Sequence, residues 1–280
     1  MDVFISADME GISGIAAAED VVREEPEYER GVELLHADVN AAIEGAVAGG
    51  ADSVLVNDSH SSMRNLDRSR LDDRATLVRG NTKPRSMMQG LTTDHDVALF
   101  VGYHAKAGTR GAVLNHTFFG QQLIRLAVDG TEVGELGWNA RLAGALGVPV
   151  GLVTGDDATA AEADAELTDP ETVTVKEGID RFTAACRPTS ETGPEIEAAA
   201  RRAVERAAEG ALGVPSVDTP TTVTATWATT NQAARAAGAP GVDRVDGRRT
   251  SVAGSTYPGV FEATVGMLRA GGAGTDQHYG

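Results

Sequence analysis

The sequence has little cysteine, little lysine and no long apolar run. Cys186 is its one cysteine among 280 residues, which excludes an internal disulfide and a cysteine-rich zinc cluster. The longest apolar runs, such as Val97–Val101, are far shorter than the ~20 residues that cross a bilayer. An acid at position two and the lack of a basic leading segment predict a strand there, not a signal peptide. These absences predict a soluble cytoplasmic protein.

Positive charge is also scarce. Lys and Arg together number 24 against 41 Asp and Glu, which gives a formal net charge of −17. Lysine occurs only as Lys83, Lys106 and Lys176. A surface this negative repels phosphate groups, so we expect neither nucleic acid nor an anionic membrane as a partner. The acid-rich, lysine-poor composition fits both a salt-adapted cytoplasm and a GC-rich genome, and it does not decide between them.

The first 160 residues alternate short apolar runs with helical patterns. We predict strands at 3–7, 53–57, 76–78, 97–101 and 149–153, a β-hairpin over 123–133 closed by Asp129-Gly130, and helices at 28–47, 137–146 and 158–167. Strands that alternate with helices predict an α/β fold, a three-layer domain with a mostly parallel sheet covered on both faces.

The rest of the chain predicts a smaller C-terminal α+β domain. The pattern indicates strands at 172–175, 220–227 and 251–253, a connector at 188–193, and helices at about 194–209, 231–236 and through 261–268. The segment from Thr192 to Glu195 resembles a capping box that opens the first of these helices. We therefore predict a catalytic α/β metal-binding domain over 1–190, an α+β domain over 191–270 and a flexible tail over 271–280.

Acids and histidines follow the predicted strands. Asp8 and Glu10 come directly after the first strand, His60 follows the second, and His104 follows the buried run that ends at Val101. The carboxyl ends of parallel strands meet along one crevice of an open α/β sheet, where ligands bind. These side chains are therefore expected to converge at one edge of the sheet.

Carboxylates that converge in this way need a compensating cation. With imidazoles they form the mixed nitrogen and oxygen set that suits zinc, and a bridging carboxylate can hold two ions for metal-assisted hydrolysis. Taken singly, each acid also fits a helix cap or turn, and each histidine a hydrogen-bonded surface residue. No dinucleotide, P-loop or nucleophile-elbow motif occurs, and Cys186 is interpreted as a small buried apolar residue.

Several segments together resemble one family, the D-aminopeptidases of bacterial dipeptide operons, which are the M55 metallopeptidases. The resemblance covers about the first 160 residues and is looser beyond. Its matching segments are 6–14 (SADMEGISG), 56–60 (VNDSH), 102–105 (GYHA), 115–120 (NHTFFG), 133–137 (VGELG), 149–150 (PV) and 154–157 (TGDD).

The resemblance implies a site with two zinc ions per subunit. Asp8 would bridge the two ions, Glu10 and His60 would complete one site, and His104 and Glu135 would complete the other. Spacing alone does not single out Glu135, because an acid between a hairpin and a helix is most often a cap.

The resemblance also implies an activity and an assembly. The expected reaction is removal of the N-terminal residue of short peptides, D-alanyl peptides in particular, by attack of a water that bridges the metals. His116 matches the catalytic histidine outside the metal ligands, which would stabilise the oxyanion or carry a proton to the leaving amine. Family members form ring-stacked homo-oligomers, so a decamer is expected.

Three other functions stay open at this point. The segment 19–29 carries six acids and the C-terminal part matches the family loosely, so the loops that select the substrate could differ. A general small-peptide aminopeptidase, another metal-dependent amidohydrolase and a non-catalytic peptide-binding protein are the alternatives.

Overall fold

The computed structural model describes residues 1–273 and builds two β-sheets flanked by helices. The strands are β1 (Asp2–Ala7), β2 (Ser53–Asp58), β3 (Ala75–Val78), β4 (Val97–Val101), β5 (Leu123–Val128), β6 (Thr131–Val133), β7 (Val150–Asp156), β8 (Glu171–Asp180), β9 (Thr183–Cys186), β10 (Thr221–Trp227), β11 (Val242–Arg244) and β12 (Arg249–Gly254). The helices are α1 (Ala18–Val21), α2 (Tyr28–Ala48), α3 (Glu135–Ala145), α4 (Asp157–Glu166), α5 (Thr189–Ala208), α6 (Thr230–Ala236) and α7 (Tyr257–Gly272).

The larger sheet confirms the predicted α/β fold. Its strand order is β3-β2-β1-β4-β7-β8-β9, and every pairing is parallel except the one between β8 and β9. In the central strand β1, Ala7 lies opposite Asp58 of β2 and Val101 of β4. The carboxyl ends of these three strands are therefore level, and the loops that follow them begin at the same edge.

The central strands of this sheet are buried on both faces. In β4, Val97, Leu99 and Val101 pack on the side covered by α2 and α5, while Ala98 and Phe100 pack on the opposite side with residues of α3 and the smaller sheet. Burial on both faces explains why β4 is a continuous apolar run instead of an alternating one. No helix within residues 1–273 combines the length and the apolar character that crossing a membrane demands.

The smaller sheet is antiparallel and draws strands from both halves of the chain. Its order is β11-β12-β10-β5-β6. The predicted hairpin of β5 and β6 is confirmed, and its two turn residues Asp129 and Gly130 have φ of 49° and 84°. Positive φ at both positions matches the right-handed twist of the two strands.

One prediction about the second half of the chain is corrected. The segment 188–193 is not a connector, because α5 begins at Thr189 and Pro194 lies inside it. Thr192, fully buried, pairs through its hydroxyl with that of Ser13 at 2.8 Å, so a tertiary contact fixes this first turn. The division into domains at 190/191 stays a prediction. This position lies in α5, which packs on α2 and the larger sheet. The hairpin 123–133 belongs to the smaller sheet.

Cys186 and the C-terminal segment also differ from expectation. Cys186 is exposed, because β9 is the edge strand of the larger sheet and pairs only with β8. Residues 271 and 272 of the predicted flexible tail belong to α7. The part of that tail from 274 to 280, with His278, lies outside the described residues.

Gly11 sets how closely two of the strand-end loops approach. Its N–H donates to the carbonyl oxygen of Gly102 at 2.8 Å. A β-carbon at position 11 would lie 1.8 Å from the carbonyl oxygen of Tyr103, which real structures do not tolerate. Only glycine therefore lets the loop after β1 lie against the loop after β4.

Replacing Gly11 with alanine is expected to lower the free energy of unfolding by about 3 kcal/mol, because the backbones must separate. Gly266→Ala in α7 is the matched control, since no atom lies within 4 Å of its added carbon; helix propensity there favours alanine by up to about 1 kcal/mol. Urea unfolding followed by circular dichroism measures both. Equal stability of the Gly11→Ala variant and the unaltered protein would contradict this account of the loop contact.

Candidate metal centre

The predicted site residues lie together at the carboxyl edge of the larger sheet. Asp8 follows β1 directly, and its backbone N–H donates to the carbonyl of Val101 at the end of β4. Glu10 is in the next turn, His60 lies two residues after β2, and His104 lies three residues after β4. All four side chains are buried. Level strand ends therefore bring together groups that are up to 96 residues apart.

His60 presents one ring nitrogen to two carboxylates. Its Nε2 lies 3.0 Å from the carbonyl oxygen of Val21, which can only accept, so this nitrogen carries a proton and donates. The other nitrogen, Nδ1, lies 2.9 Å from Glu10 Oε2 and 3.4 Å from Asp8 Oδ1. A backbone carbonyl that fixes the tautomer and orientation is the usual support of a metal-binding histidine.

His104 is arranged in the same way, with its ring nitrogens exchanged. Its Nδ1 donates to the carbonyl of Ala105 at 3.1 Å. Its Nε2 lies 3.5 Å from Asp8 Oδ2 and 3.4 Å from Glu135 Oε1. The two oxygens of Asp8 thus face different histidines, Oδ1 toward His60 and Oδ2 toward His104.

Glu135 and His116 complete the cluster from the segment beyond β4. Glu135 is the first residue of α3, and its Oε1 accepts a hydrogen bond from the Phe118 N–H at 2.6 Å. His116 donates from Nδ1 to the carbonyl of Leu114 at 2.9 Å. Its Nε2 lies 3.8 Å from Glu10 Oε1 and 4.0 Å from Glu135 Oε1. Its ring stacks on His104 with centroids 4.1 Å apart.

The structure therefore brings all six predicted side chains into one cluster. These are Asp8, Glu10, His60, His104, His116 and Glu135. Their roles as ligands or proton carriers stay predictions. His116 is the most accessible of them, with 18% of its side chain exposed against 8% or less for the others.

Burial and the mutual charges of the cluster shift the pKa values of its carboxyl and imidazole groups. Burial, with the charge of Glu10 beside it, raises the pKa of Asp8 to about 7. Burial opposes protonation of His104, but the charges of Glu135 and Asp8 outweigh it and raise the pKa of that imidazole to about 10. Burial and then the charge of His104 lower the pKa of His116. The three buried carboxylates thus stabilise a positive charge placed between them and the histidine rings.

A divalent cation fits this space. His104 Nε2 is buried and has no hydrogen-bond partner, since 3.4 Å to Glu135 is too long for a good bond. The ligand atoms of Asp8, Glu10 and His104 lie within 4.8 Å of one another. Those of His104, His116 and Glu135 do so as well. Imidazole nitrogen and carboxylate oxygen are the donors that zinc takes in catalytic sites.

Two buried lysines, which the sequence analysis did not assign to the site, support its loops. Lys176 in β8 is fully buried, and its ammonium donates to the carbonyls of Glu10, Ile12 and Ile15 at 2.6, 2.9 and 2.7 Å. Burial lowers the pKa of Lys176 to about 8. The ammonium therefore fixes the turn that carries Glu10. A buried lysine directly after the alternating run 172–175, in a chain that has only two other lysines, is the signal that could have identified it.

Lys83 supports the second loop in a similar way. Its ammonium donates to the Asn57 side-chain oxygen and to the Asp58 carbonyl, both at 2.7 Å. Asp58 in turn accepts from the N–H and side chain of Asn65, whose amide also donates to the His60 carbonyl at 2.7 Å. These bonds fix the backbone on both sides of His60.

A cavity of about 540 Å³ opens from the cluster toward the surface. Asp8, Glu10, His60, His116 and Glu135 line its inner part. Its wall also includes apolar, polar and charged side chains, among them Val22, Arg23, Glu24, Met63, Arg64, Phe118 and Phe119. A cavity of this volume is in the range of small-molecule sites.

Comparisons with known proteins show what the chain and its fold are similar to. The sequence model of the M55 peptidase family, described as D-aminopeptidase, matches residues 1–265. The chain is 40% identical to a D-aminopeptidase of Bacillus subtilis (strain 168) over 193 residues, which are 69% of this chain and 70% of that protein. Its structure is similar to that of the Zn-dependent D-aminopeptidase DppA from Bacillus subtilis, a self-compartmentalizing protease, with a TM-score of 0.91 and 31% identity over 98% of this chain and 99% of that one.

Proposed function

The chain belongs to the D-aminopeptidase family, peptidase M55, and is a metallopeptidase of the aminopeptidase type; from this we propose that it holds two zinc ions and removes the N-terminal residue of short peptides, preferentially D-alanine. The observation that carries the proposal is the convergence of three carboxylates and three imidazoles at the inner end of one cavity. The preference for D-residues rests on the names of the relatives.

We assign the zinc ligands from the directions in which the side chains face. Asp8 lies between the two histidines with one oxygen toward each, which suits a bridging carboxylate. Glu10 and His60 would hold one ion, and His104 and Glu135 the other. When bound, zinc supplies Lewis-acid chemistry, since it polarises a carbonyl and makes water more acidic.

His116 is placed to move a proton. The Leu114 carbonyl holds a proton on Nδ1, and the lowered pKa leaves Nε2 as a free acceptor near pH 7. Nε2 faces Glu10 and Glu135 and the ring lines the cavity. His116 can accept a proton there and pass it to the leaving amine, or stabilise the developing oxyanion.

Replacing His116 with alanine is expected to lower kcat by about 10²–10⁴-fold and to leave the zinc content per subunit unchanged. Steady-state kinetics and metal analysis by mass spectrometry measure the two quantities. His95→Ala, outside the cavity, is the control and should keep both values. An unaltered kcat would remove His116 from the mechanism, whereas loss of zinc would make it a ligand instead.

Metal removal tests the function as a whole. Treatment with a chelator is expected to abolish hydrolysis of D-Ala-D-Ala and D-Ala para-nitroanilide, and added zinc should restore it. The reason is that carboxylates alone provide no Lewis acid to polarise the peptide carbonyl. The L-alanine counterparts should react more slowly.

The other outcomes of the same assay correspond to the alternative functions. Faster hydrolysis of the L-compounds would indicate a general small-peptide aminopeptidase. Cleavage of non-peptide amides only would indicate another amidohydrolase. No hydrolysis of either stereoisomer by the zinc-loaded protein would contradict the proposed function and favour a non-catalytic peptide-binding protein.

Assembly and location complete the proposal. We propose a homo-oligomer, which the self-compartmentalizing relative supports. The ring-stacked decamer and the cytoplasmic location stay predictions, as does the number of two zinc ions per subunit.

A further inference from the structure

We infer that Arg23 and Arg64 form a carboxylate-binding subsite at the outer part of the cavity, which holds the free C-terminal carboxylate of a short peptide. The inference rests on the proposed function for the direction in which the peptide lies. It adds a specificity element at the end of the cavity away from the three carboxylates.

The two arginines are held together beside the same opening. Arg23 and Arg64 both line the cavity that contains Asp8, Glu10 and His60. The Arg23 guanidinium donates from Nη2 to the backbone carbonyl of Arg64 at 2.7 Å, and its Cζ lies 5.5 Å from the centre of the Tyr28 ring. Two contacts thus hold Arg23 in place while leaving further N–H donors of its fork available.

A third arginine adds to the positive charge at this point. Arg79 donates from Nη2 to the same Arg64 carbonyl at 3.0 Å. Among residues 1–273, none of these three arginines lies within 4.0 Å of a carboxylate, although Glu24 also lines the cavity. In a chain of net charge −17, two guanidinium groups at the Arg64 carbonyl, with the Arg64 side chain lining the same cavity and no carboxylate partner for any of the three, form a local site for an anion.

The distance from the cluster fits a very short peptide. The Val21 carbonyl accepts the hydrogen bond of His60, and Arg23 is two residues further along the chain. Two residues span roughly 7 Å at most, which is also about the length of an extended dipeptide. A dipeptide whose first residue lies at the cluster is therefore long enough to extend as far as the backbone of Arg23.

The arginines match the free C-terminus of a short peptide. The proposed function places the first peptide bond at the cluster, so the carboxylate of a dipeptide or tripeptide lies toward the outer end, where Arg23 and Arg64 line the cavity. Guanidinium groups bind carboxylates through two parallel hydrogen bonds, and such charge-assisted bonds are about twice as strong as neutral ones. The subsite therefore selects short peptides with a free C-terminus over their C-terminal amides.

Kinetics with a matched pair of substrates test the subsite. The unaltered enzyme should show a kcat/KM for D-Ala-D-Ala at least tenfold above that for D-alanyl-D-alaninamide, with most of the difference in KM. Arg23→Met and Arg64→Met should each reduce this acid-to-amide ratio about five- to tenfold, and the backbone carbonyl of residue 64 stays in place in both variants. Arg201→Met, an exposed arginine on α5, is the control and should keep the ratio.

A binding measurement separates the subsite from the activity. The zinc-loaded protein is titrated calorimetrically with D-alanyl-D-alanine whose peptide bond is reduced to CH₂–NH, as the free acid and as the C-terminal amide. Tighter binding of the acid that is lost in both arginine variants supports the subsite even if no peptide is hydrolysed, which would count against the proposed function alone. Equal binding of acid and amide by the unaltered protein overturns the subsite even if D-Ala-D-Ala is hydrolysed.

Discussion

Buried negative charge at the carboxyl ends of β1, β2 and β4 is the constraint on which the rest of the structure depends. Asp8, Glu10 and Glu135 are each 5% exposed or less, and taking a carboxylate out of water without a partner costs several kcal/mol. The fold meets part of this cost by placing imidazole nitrogens among the carboxylates, and the proposed zinc ions would meet the rest. The register of β1, β2 and β4 makes their ends level, and this places the charged groups together at the cavity.

The surrounding backbone keeps these charged groups in place. Lys176 and Lys83 bind the carbonyls of two loops, and Gly11 lets the loop after β1 contact the loop after β4. Each histidine of the cluster donates one ring N–H to a backbone carbonyl, which leaves the other nitrogen directed at carboxylates. These hydrogen bonds to the backbone fix the orientation of the three histidine rings.

Much of this could be predicted from sequence, since apolar runs and the polar residues that follow them report strand ends directly. Spacing does not identify Glu135, because an acid at the start of a helix is usually a cap. Spacing does not identify Lys176 either, because its partners are backbone carbonyls, which have no sequence motif. The predicted start of α5 is wrong because Gly193-Pro194 is typical of a connector, whereas the buried contact of Thr192 with Ser13 stabilises helix there. The predicted burial of Cys186 is wrong because Cys186 lies in an edge strand, which leaves small residues exposed.

The central claim is that five side chains from distant parts of the chain hold a shared pair of zinc ions. The most direct measurement is a crystal structure of the zinc-loaded protein with anomalous data collected at the zinc edge. The account predicts two anomalous peaks per subunit, with Asp8 between them, Glu10 and His60 at one peak, and His104 and Glu135 at the other. Peaks that lie elsewhere, or a single peak without Asp8 as a ligand, would contradict it.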